Sequence, residues 1–329
     1  MLGVSTPEMA AAVSDQGGLG SLPVGGLSPD VIRQTKEMTD RPFAVNLFVH
    51  DIPACSETEV SAMQELLLKL AHKRGYPLDE NDLSNFTFYT YQDQLEVLVD
   101  EKISVISFTF GCLDAPSIRL LQSKGMVLMG TATCVEEALF LEEKGIDMVV
   151  VQGIEAGGHR GTFMDHIPLP QVGLFSLLPQ IAAAVQVPCI AAGGIYHGTT
   201  LKAAFESGAA GVQVGTAFIG TQESNAIPAY REKLATSTEV DSSLTRAFSG
   251  RWARGLRNQF MADIEESGIP IPPYPFQNSL TTKLRILAQQ NNDAEYTNLW
   301  AGQSPVHIPE QSAKEVFRYF AKEFDMMNK

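Results

Sequence analysis

Residues 127–153 read VLMGTATCVEEALFLEEKGIDMVVVQG, and this stretch contains one complete unit of the predicted fold. Short apolar runs begin and end it, at Val127–Ala132 and Met148–Gly153. The glutamate-rich segment between them has helical spacing, and Gly145 is placed to end the helix. Continuous apolar runs, rather than alternating ones, are typical of parallel strands that are buried on both faces. The stretch therefore predicts a strand, a helix and a second, parallel strand.

The same pattern recurs along the chain. Five further runs resemble strands, and they are Gly18–Leu22, Phe43–Val49, Val105–Gly111, Pro188–Gly194 and Gly211–Phe218. From residue 105 onward, successive strands begin 22, 21, 40 and 23 residues apart. A spacing near twenty residues with strand–helix alternation predicts an α/β fold, either a doubly wound sheet or a closed (β/α)8 TIM-type barrel.

Only seven strands can be counted, whereas a (β/α)8 barrel needs eight. The chain begins with a helix start at Thr6-Pro7, so the first barrel strand is predicted to be missing. A start codon assigned too late and a real truncation are both left open as causes. A barrel without that strand would expose two unpaired strand edges.

Three segments are predicted. Residues 1–220 form the βα barrel, and residues 221–297 form a small, mostly helical second domain over the site. Residues 298–329 return to the barrel and end in a helix over Glu310–Met327. That helix carries an apolar stripe that should pack on the barrel, formed by Val316, Phe317, Phe320 and Phe324.

Composition excludes several classes of function. Lys and Arg number 24 against 38 Asp and Glu, a formal net charge of −14. A surface this acidic repels phosphate backbones and anionic lipid, so we expect no nucleic-acid or membrane partner. The four cysteines form no CxxC pair, and neither a signal peptide nor a membrane-spanning run is evident, so we expect a cytoplasmic protein. No His or Cys residues have the spacing of a metal site.

Barrel chemistry is expected at the carboxyl ends of the strands. Asn46 lies near the end of the second predicted strand, and Gln152 ends the fifth. Glycines at the ends of the last two strands, in Gly193-Gly194 and in the segment Gln213-Val214-Gly215-Thr216, predict a phosphate site there. Relief of crowding at the barrel corners is the alternative for each glycine taken alone.

The loop GIEAGGHRG (153–161) contains a histidine among glycines. His159 lies close to Gly157 and Gly158 and has no evident packing role, so it is a candidate to exchange a proton or hydrogen bond with a substrate. An exposed histidine without a role is the alternative. Four arginines surround Trp252, namely Arg246, Arg251, Arg254 and Arg257, and a solvated helix face is favoured over an anion clamp for them.

Several stretches together resemble the class I nitronate monooxygenases, formerly called 2-nitropropane dioxygenases. They are GVSTPEMAAAVSDQGGLGSL (3–22), PFAVNLFV (42–49), VISFTFG (105–111), GTATCVEEA (130–138), QGIEAGGHRGTF (152–163), IAAGGI (190–195), GVQVGTAF (211–218) and LWAGQ (299–303). The resemblance implies a (β/α)8 barrel that binds FMN without a covalent bond. It also implies that His159 is catalytic and that the flavin is contacted by Asn46, Gln152, Gly157, Gly158, Gly193, Gly194, Gln213, Val214, Gly215 and Thr216.

By this resemblance the substrates are an alkyl nitronate, such as propionate 3-nitronate, and O2, and the products are a carbonyl compound and nitrite. A detoxifying role is implied, and a homodimer is left open. Two alternatives remain. One is the related FMN-dependent enoyl-acyl-carrier-protein reductase, which shares the EAGGH loop but also needs a nicotinamide donor. The other is a truncated, non-catalytic flavin-binding remnant.

Overall fold

The computed structural model of the protein describes residues 1–25, 28, 30–84, 86, 88–305 and 311–327. Its main sheet has seven parallel strands in the order β1-β2-β3-β4-β5-β7-β8, which curl into a half-barrel surrounded by helices. Their bounds are β1 Gly20–Pro23, β2 Phe43–Phe48, β3 Val105–Thr109, β4 Val127–Ala132, β5 Met148–Gln152, β7 Cys189–Ala192 and β8 Gly211–Gln213. The predicted α/β TIM-type fold and its seven strands are confirmed.

Helices follow the strands as the βα pattern requires. The helices of the first half are α1 Pro7–Ser14, α2 Asp30–Met38, α3 Glu57–Arg74, α4 Gln92–Asp100, α5 Ala115–Ser123 and α6 Val135–Glu143. Those of the second half are α7 Leu174–Ala184, α8 Gly198–Glu206, α9 Pro228–Thr236, α10 Gln259–Glu266, α11 Phe276–Gln290 and α12 Ala313–Met327. The Thr6 hydroxyl caps α1 by accepting from the backbone N–H of Met9 at 3.1 Å, as its position before Pro7 predicts.

The two outer strands of the sheet, β1 and β8, are not hydrogen-bonded to each other within the described ranges. The space beside them is covered by α1 and α12 and by a short 3-10 helix at Thr216–Phe218. Val316 and Phe320 of α12 are buried there against Met9 and Phe218. Of the predicted apolar stripe, Val316, Phe317 and Phe320 pack here, whereas Phe324 is 37% exposed. The predicted start of that helix, at Glu310, lies outside the described residues.

The last strand is shorter than predicted. Strand β8 ends at Gln213, and the chain then turns through Gly215 into the 3-10 helix. The apolar run continues to Phe218 because Ala217 and Phe218 are buried under α12, and not because the strand continues. Because the strand ends early, Gly215 and Thr216 lie where the chain turns from β8 into the 3-10 helix.

A second apolar core lies outside the barrel. It joins α10 and α11 to α3, through residues such as Leu67, Phe260 and Leu284. This contact crosses the predicted boundary at residue 220, because α3 comes from the connection between β2 and β3. Our division into 1–220, 221–297 and 298–329 remains a proposal, and residues 306–310 and 328–329 of its last segment lie outside the described ranges.

A small antiparallel sheet accompanies this second core, and the sequence did not predict it. Its strands are β6 Gly158–His159, β9 Ser242–Thr245 and β10 Ala253–Leu256, in the order β6-β10-β9. Ala253 pairs with His159 and Arg254 with Gly158. The sheet therefore attaches the glycine-rich loop after β5 to the segment that follows the barrel. Within the described chain, no helix is long and apolar enough to cross a membrane.

Candidate active site

A cavity of about 360 Å3 opens at the carboxyl ends of the parallel strands. This volume falls within the range of small-molecule sites, about 300–1,000 Å3. Ten of the eleven predicted site residues line it, and they are Asn46, Gln152, Gly157, Gly158, His159, Gly193, Gly194, Gln213, Gly215 and Thr216. Val214 does not, because its side chain packs against the barrel core instead.

The glycines after β7 depart from extended backbone. Gly193 has a φ of +111° and Gly194 a φ of +68°, conformations that a side chain disfavours. The backbone N–H groups of Gly193, Gly194 and Ile195 have no acceptor among the described residues, and neither do those of Gly215 and Thr216. Two sets of unpaired amides at the end of neighbouring parallel strands form a local site for an anionic oxygen.

Close packing of the backbone explains why residue 157 is a glycine. A Cβ atom at Gly157 would lie 2.5 Å from the backbone nitrogen of Gly302, which is too close for any side chain. The N–H of Gly302 donates to the Thr216 hydroxyl at 3.0 Å, and that of Gln303 donates to the Glu155 carbonyl at 3.0 Å. The segment LWAGQ is thus held against the floor of the cavity.

The side-chain amides of the two predicted site residues, Asn46 and Gln152, already form hydrogen bonds within the protein. Asn46 donates from Nδ2 to the Ser107 hydroxyl at 3.0 Å. Gln152 donates from Nε2 to the His159 carbonyl at 2.9 Å and accepts from the Gly161 N–H at 2.9 Å. The Gln152 side chain therefore holds the histidine loop in place through two hydrogen bonds. The sequence did not reveal this role.

His159 is fixed from several sides. Its backbone is held by the pairing with Ala253, and its Nε2 atom lies 2.7 Å from the Ser249 hydroxyl oxygen. Aromatic rings surround the imidazole, with centroids at 5.4 Å for Phe110 and 5.3 Å for Trp300. Nδ1 has no hydrogen-bond partner in the described part of the chain. It is the nitrogen that remains available to a ligand.

Electrostatics keep this imidazole neutral. Burial, reinforced by the positive charges of Arg251 and Arg285, lowers the pKa of His159 to about 3. The Arg251 guanidinium lies 4.4 Å from the centroid of the Phe110 ring, and Arg285 lines the cavity. Neither arginine forms a salt bridge with a described carboxylate. Asp165 and Glu137 lie near enough to Arg251 to favour its charge, so Arg285 is the cation that lines the cavity without a carboxylate partner and makes it attractive to an anion, against the net charge of −14.

The favoured interpretation of the arginines around Trp252 was wrong. They lie on or beside strands β9 and β10, not on a helix, and each donates to a backbone carbonyl, although Arg257 is also exposed. Arg251 donates to the Thr162 carbonyl at 3.1 Å, and Arg254 to the Ile154 carbonyl at 2.9 Å. These bonds tie the histidine loop to the small sheet.

Two buried charged residues near the loop were also missed. Arg160 is 1% exposed and donates to the carbonyl of Gly153 at 2.6 Å. Glu137, at the start of α6, is fully buried and accepts from the Phe163 N–H and the Thr162 hydroxyl, each at 2.8 Å. The loop partners of Glu137 are 25 and 26 residues away along the chain, so no local pattern could have revealed these contacts.

Comparison with known proteins identifies the chain. The sequence model described as nitronate monooxygenase matches residues 1–322. The "Probable nitronate monooxygenase" of Staphylococcus saprophyticus is 38% identical, over 100% of this chain and 94% of that protein. The protein of the same name from Bacillus subtilis is 38% identical, over 98% and 93%.

Comparison with solved structures gives a result consistent with the sequence relatives. The nitroalkane oxidase from Streptomyces ansochromogenes superimposes with a TM-score of 0.90 and 36% identity, over 99% of this chain and 94% of that chain. FabK from Thermotoga maritima gives a TM-score of 0.75 and 29% identity, over 100% and 91%. Since the family model and both relatives cover almost the entire sequence, the chain belongs to the nitronate monooxygenase family of flavin-dependent oxidoreductases.

Proposed function

We propose that the protein oxidises alkyl nitronates with O2, yielding a carbonyl compound and nitrite, and that its flavin is FMN. The observation that carries the proposal is the set around His159: a neutral imidazole whose Nδ1 has no partner among the described residues, in a cavity that also holds the Arg285 guanidinium and the strand-end amides. This arrangement suits a substrate that is already an anion. It does not suit one that must first lose a proton to a strong base.

The cavity residues fit a flavin mononucleotide. The free amides after β7 and β8 would receive its phosphate, and the positive φ at Gly194 leaves that approach without a Cβ. Glu155, the nearest carboxylate, is turned away, because both its oxygens accept from the Leu174 N–H, at 2.9 and 3.0 Å. The sequence contains no GxGxxG loop for an adenylate, which favours FMN over FAD.

When bound, the flavin would supply the electron acceptor and the reaction with O2. The protein's own part is to bind and orient the nitronate. Nδ1–H of His159 would donate to a nitronate oxygen, while Arg251 and Arg285 stabilise its negative charge at longer range. Phe48, Phe110 and Trp300 surround the imidazole and keep water from it, which strengthens each of these interactions.

The proposal is tested with the purified protein. Released cofactor is identified by chromatography, where FAD would contradict the assignment of FMN. Propionate 3-nitronate is then added without oxygen, and bleaching of the flavin spectrum is expected. Admission of O2 should restore the spectrum and release nitrite and a carbonyl compound. A flavin that stays oxidised with every nitronate tried would contradict the function.

An FMN-dependent enoyl-acyl-carrier-protein reductase is the second candidate, and the likeness to FabK favours it. Consumption of NADH with an enoyl thioester would support that reaction. A truncated, non-catalytic flavin-binding remnant is the third, and a flavin that binds but reacts with neither substrate would support it.

A further inference from the structure

A second, smaller chamber adjoins the cavity. It has a volume of about 90 Å3 and lies between the end of β2, the start of α4 and the start of α11. Four residues line both spaces, namely Gly25, Phe48, Tyr274 and Asn278. The chamber is therefore a side compartment of the candidate active site, and the glycines after β7 and β8 do not line it.

Buried polar atoms without partners are concentrated in this chamber. Gln94 is 6% exposed, and its Oε1 atom has no hydrogen-bond partner in the described structure. The same holds for Nδ1 and Nε2 of His50, which are also shielded from solvent. The described chain has five buried side-chain polar atoms of this kind, and three of them belong to His50 and Gln94, which both line this chamber. Each such atom lowers stability unless something bonds to it.

The described lining of the chamber is polar but carries no charged side chain, and this limits which ligand groups could bond there. No Asp, Glu, Lys or Arg among the described residues lines it. Burial and the nearby Arg251 lower the pKa of His50, so its ring is neutral and offers one N–H donor and one acceptor nitrogen. The carbonyl of Phe48 and the carboxylate of Asp51 act in the opposite direction but do not reverse this shift. Gln94 Oε1 adds a second acceptor.

We propose that this side chamber is a subsite for the far end of the substrate, and that it takes a neutral group with both a donor and an acceptor, such as a hydroxyl. The proposal rests on the proposed function, because it deepens the choice of nitronate. A carboxylate would meet Oε1 of Gln94 and find no Lys or Arg among the described lining residues, and an ammonium group would find no carboxylate. Either charge would lose its hydration without gaining an oppositely charged partner.

Water is the alternative occupant, since the chamber has room for about three molecules. A hydroxyl group that reproduces the bonds of one such water can replace it without loss, whereas a methyl group cannot. Substrates that differ only at their far end therefore separate the two cases.

The experiment compares primary alkyl nitronates with their ω-hydroxy counterparts of equal chain length. At the length that reaches the chamber, wild-type kcat/KM should be about tenfold higher for the hydroxy compound, the factor that one net hydrogen bond provides. His50→Phe keeps the ring contact with Tyr274, whose centroid lies 4.7 Å away, but removes both nitrogens. It should abolish the preference, as should Gln94→Leu. His72→Phe, on an exposed part of α3, is the matched control and should retain it.

A lack of preference at every chain length in the wild-type protein overturns the subsite, whether or not the variants fold. Loss of the preference in His72→Phe as well would also overturn it. Calorimetric binding of the parent nitroalkanes and their ω-hydroxy analogues tests the subsite without turnover. If no nitronate is oxidised but the hydroxy ligand still binds about tenfold more tightly, the proposed function fails and the subsite stands. Equal affinities, or no binding, exclude the subsite.

Discussion

The Ser249 hydroxyl oxygen lies 2.7 Å from Nε2 of His159, and 3.3 Å from both the carbonyl oxygen and the amide nitrogen of Arg251. The hydroxyl has a single proton, and Nε2 is its nearer acceptor. The Arg251 N–H can donate to the oxygen at the same time. We infer that the hydroxyl donates to Nε2 rather than to the Arg251 carbonyl, which would place the imidazole proton on Nδ1 and make Ser249 a positioning residue that presents a donor to the cavity.

Replacement of Ser249 with Ala should therefore change the tautomer of His159. We expect the rate of nitronate oxidation to fall roughly tenfold or more, because a misplaced proton removes the donor that the anion needs. Flavin content should remain unchanged. Nitrogen NMR of histidine-labelled protein reports the tautomer directly, and Ser249→Thr, which retains a hydroxyl, should restore the wild-type signal. A wild-type spectrum with the proton on Nε2 would contradict the assignment.

His159 itself should matter for the rate and not for cofactor binding. His159→Ala removes a donor beside negative charge, a loss that typically lowers the rate by about 10²–10³. His159→Asn can still donate and should recover part of the activity on nitronates, but none on neutral nitroalkanes if those require a base. Steady-state rates on a nitronate and its parent nitroalkane separate these roles. Wild-type turnover by flavin-replete His159→Ala would show that the residue has no catalytic role.

The low pKa of His159 also predicts how stability depends on pH. An exposed histidine in the unfolded chain takes up a proton near pH 6.5, whereas the folded protein resists protonation down to about pH 3. The unfolded state thus binds more protons in this window, and stability falls as the pH is lowered through it. The contribution is at most about 1.4 kcal/mol per pH unit. Denaturant titrations at matched flavin content should show a shallower pH dependence for His159→Asn than for wild type.

The barrel could be predicted because its strands are buried on both faces. Runs such as Val105–Thr109 and Met148–Gln152 are mostly apolar, and glycines follow the strands where the chain turns. His159 could be singled out because the sequence around it, rich in glycine, shows no packing role for a histidine, although in the structure Phe110 and Trp300 pack against its ring. These signals are local, so a single sequence contains them.

The small sheet could not be predicted, for physical reasons that its strands make clear. Strand β6 has only two residues, and β9 is the polar segment SSLT. Neither has an apolar alternation that would mark a half-buried strand. The partners of His159 are likewise distant in sequence, because Ser249 is 90 residues away. Only tertiary contact brings them together.

Gly194 provides a test of the phosphate site. In Gly194→Ala the new Cβ would meet no protein atom closer than 3.5 Å, but it would stand in the cavity beside the free amides. We expect loss of flavin with the fold retained. Gly145→Ala is the matched control, because Gly145 has a φ of +81° and no atom near its Cβ position, away from the cavity. Both changes carry the strain of positive φ, about 1–2 kcal/mol. Equal flavin content in the two variants would place the phosphate elsewhere.

Glu137 should be a structural anchor of the catalytic loop. Its fully buried carboxylate accepts from the N–H and hydroxyl of Thr133, at 2.6 and 2.7 Å, and from Thr162 and Phe163 across the loop. All four partners are donors, so an amide in place of the carboxylate would turn an NH2 group toward a donor. Glu137→Gln should therefore lower the free energy of unfolding by about 1–3 kcal/mol, as for other buried groups left unsatisfied.

The same substitution separates anchoring from chemistry. If Glu137 acts only through the loop, Glu137→Gln should lower the midpoint of denaturation and loosen the loop, while the pH profile of kcat keeps its wild-type shape. Glu136→Gln, an exposed neighbour whose carboxylate meets only His166 at 2.9 Å, is the control and should change the midpoint little. A Glu137→Gln protein as stable as the Glu136→Gln control would contradict the anchoring role.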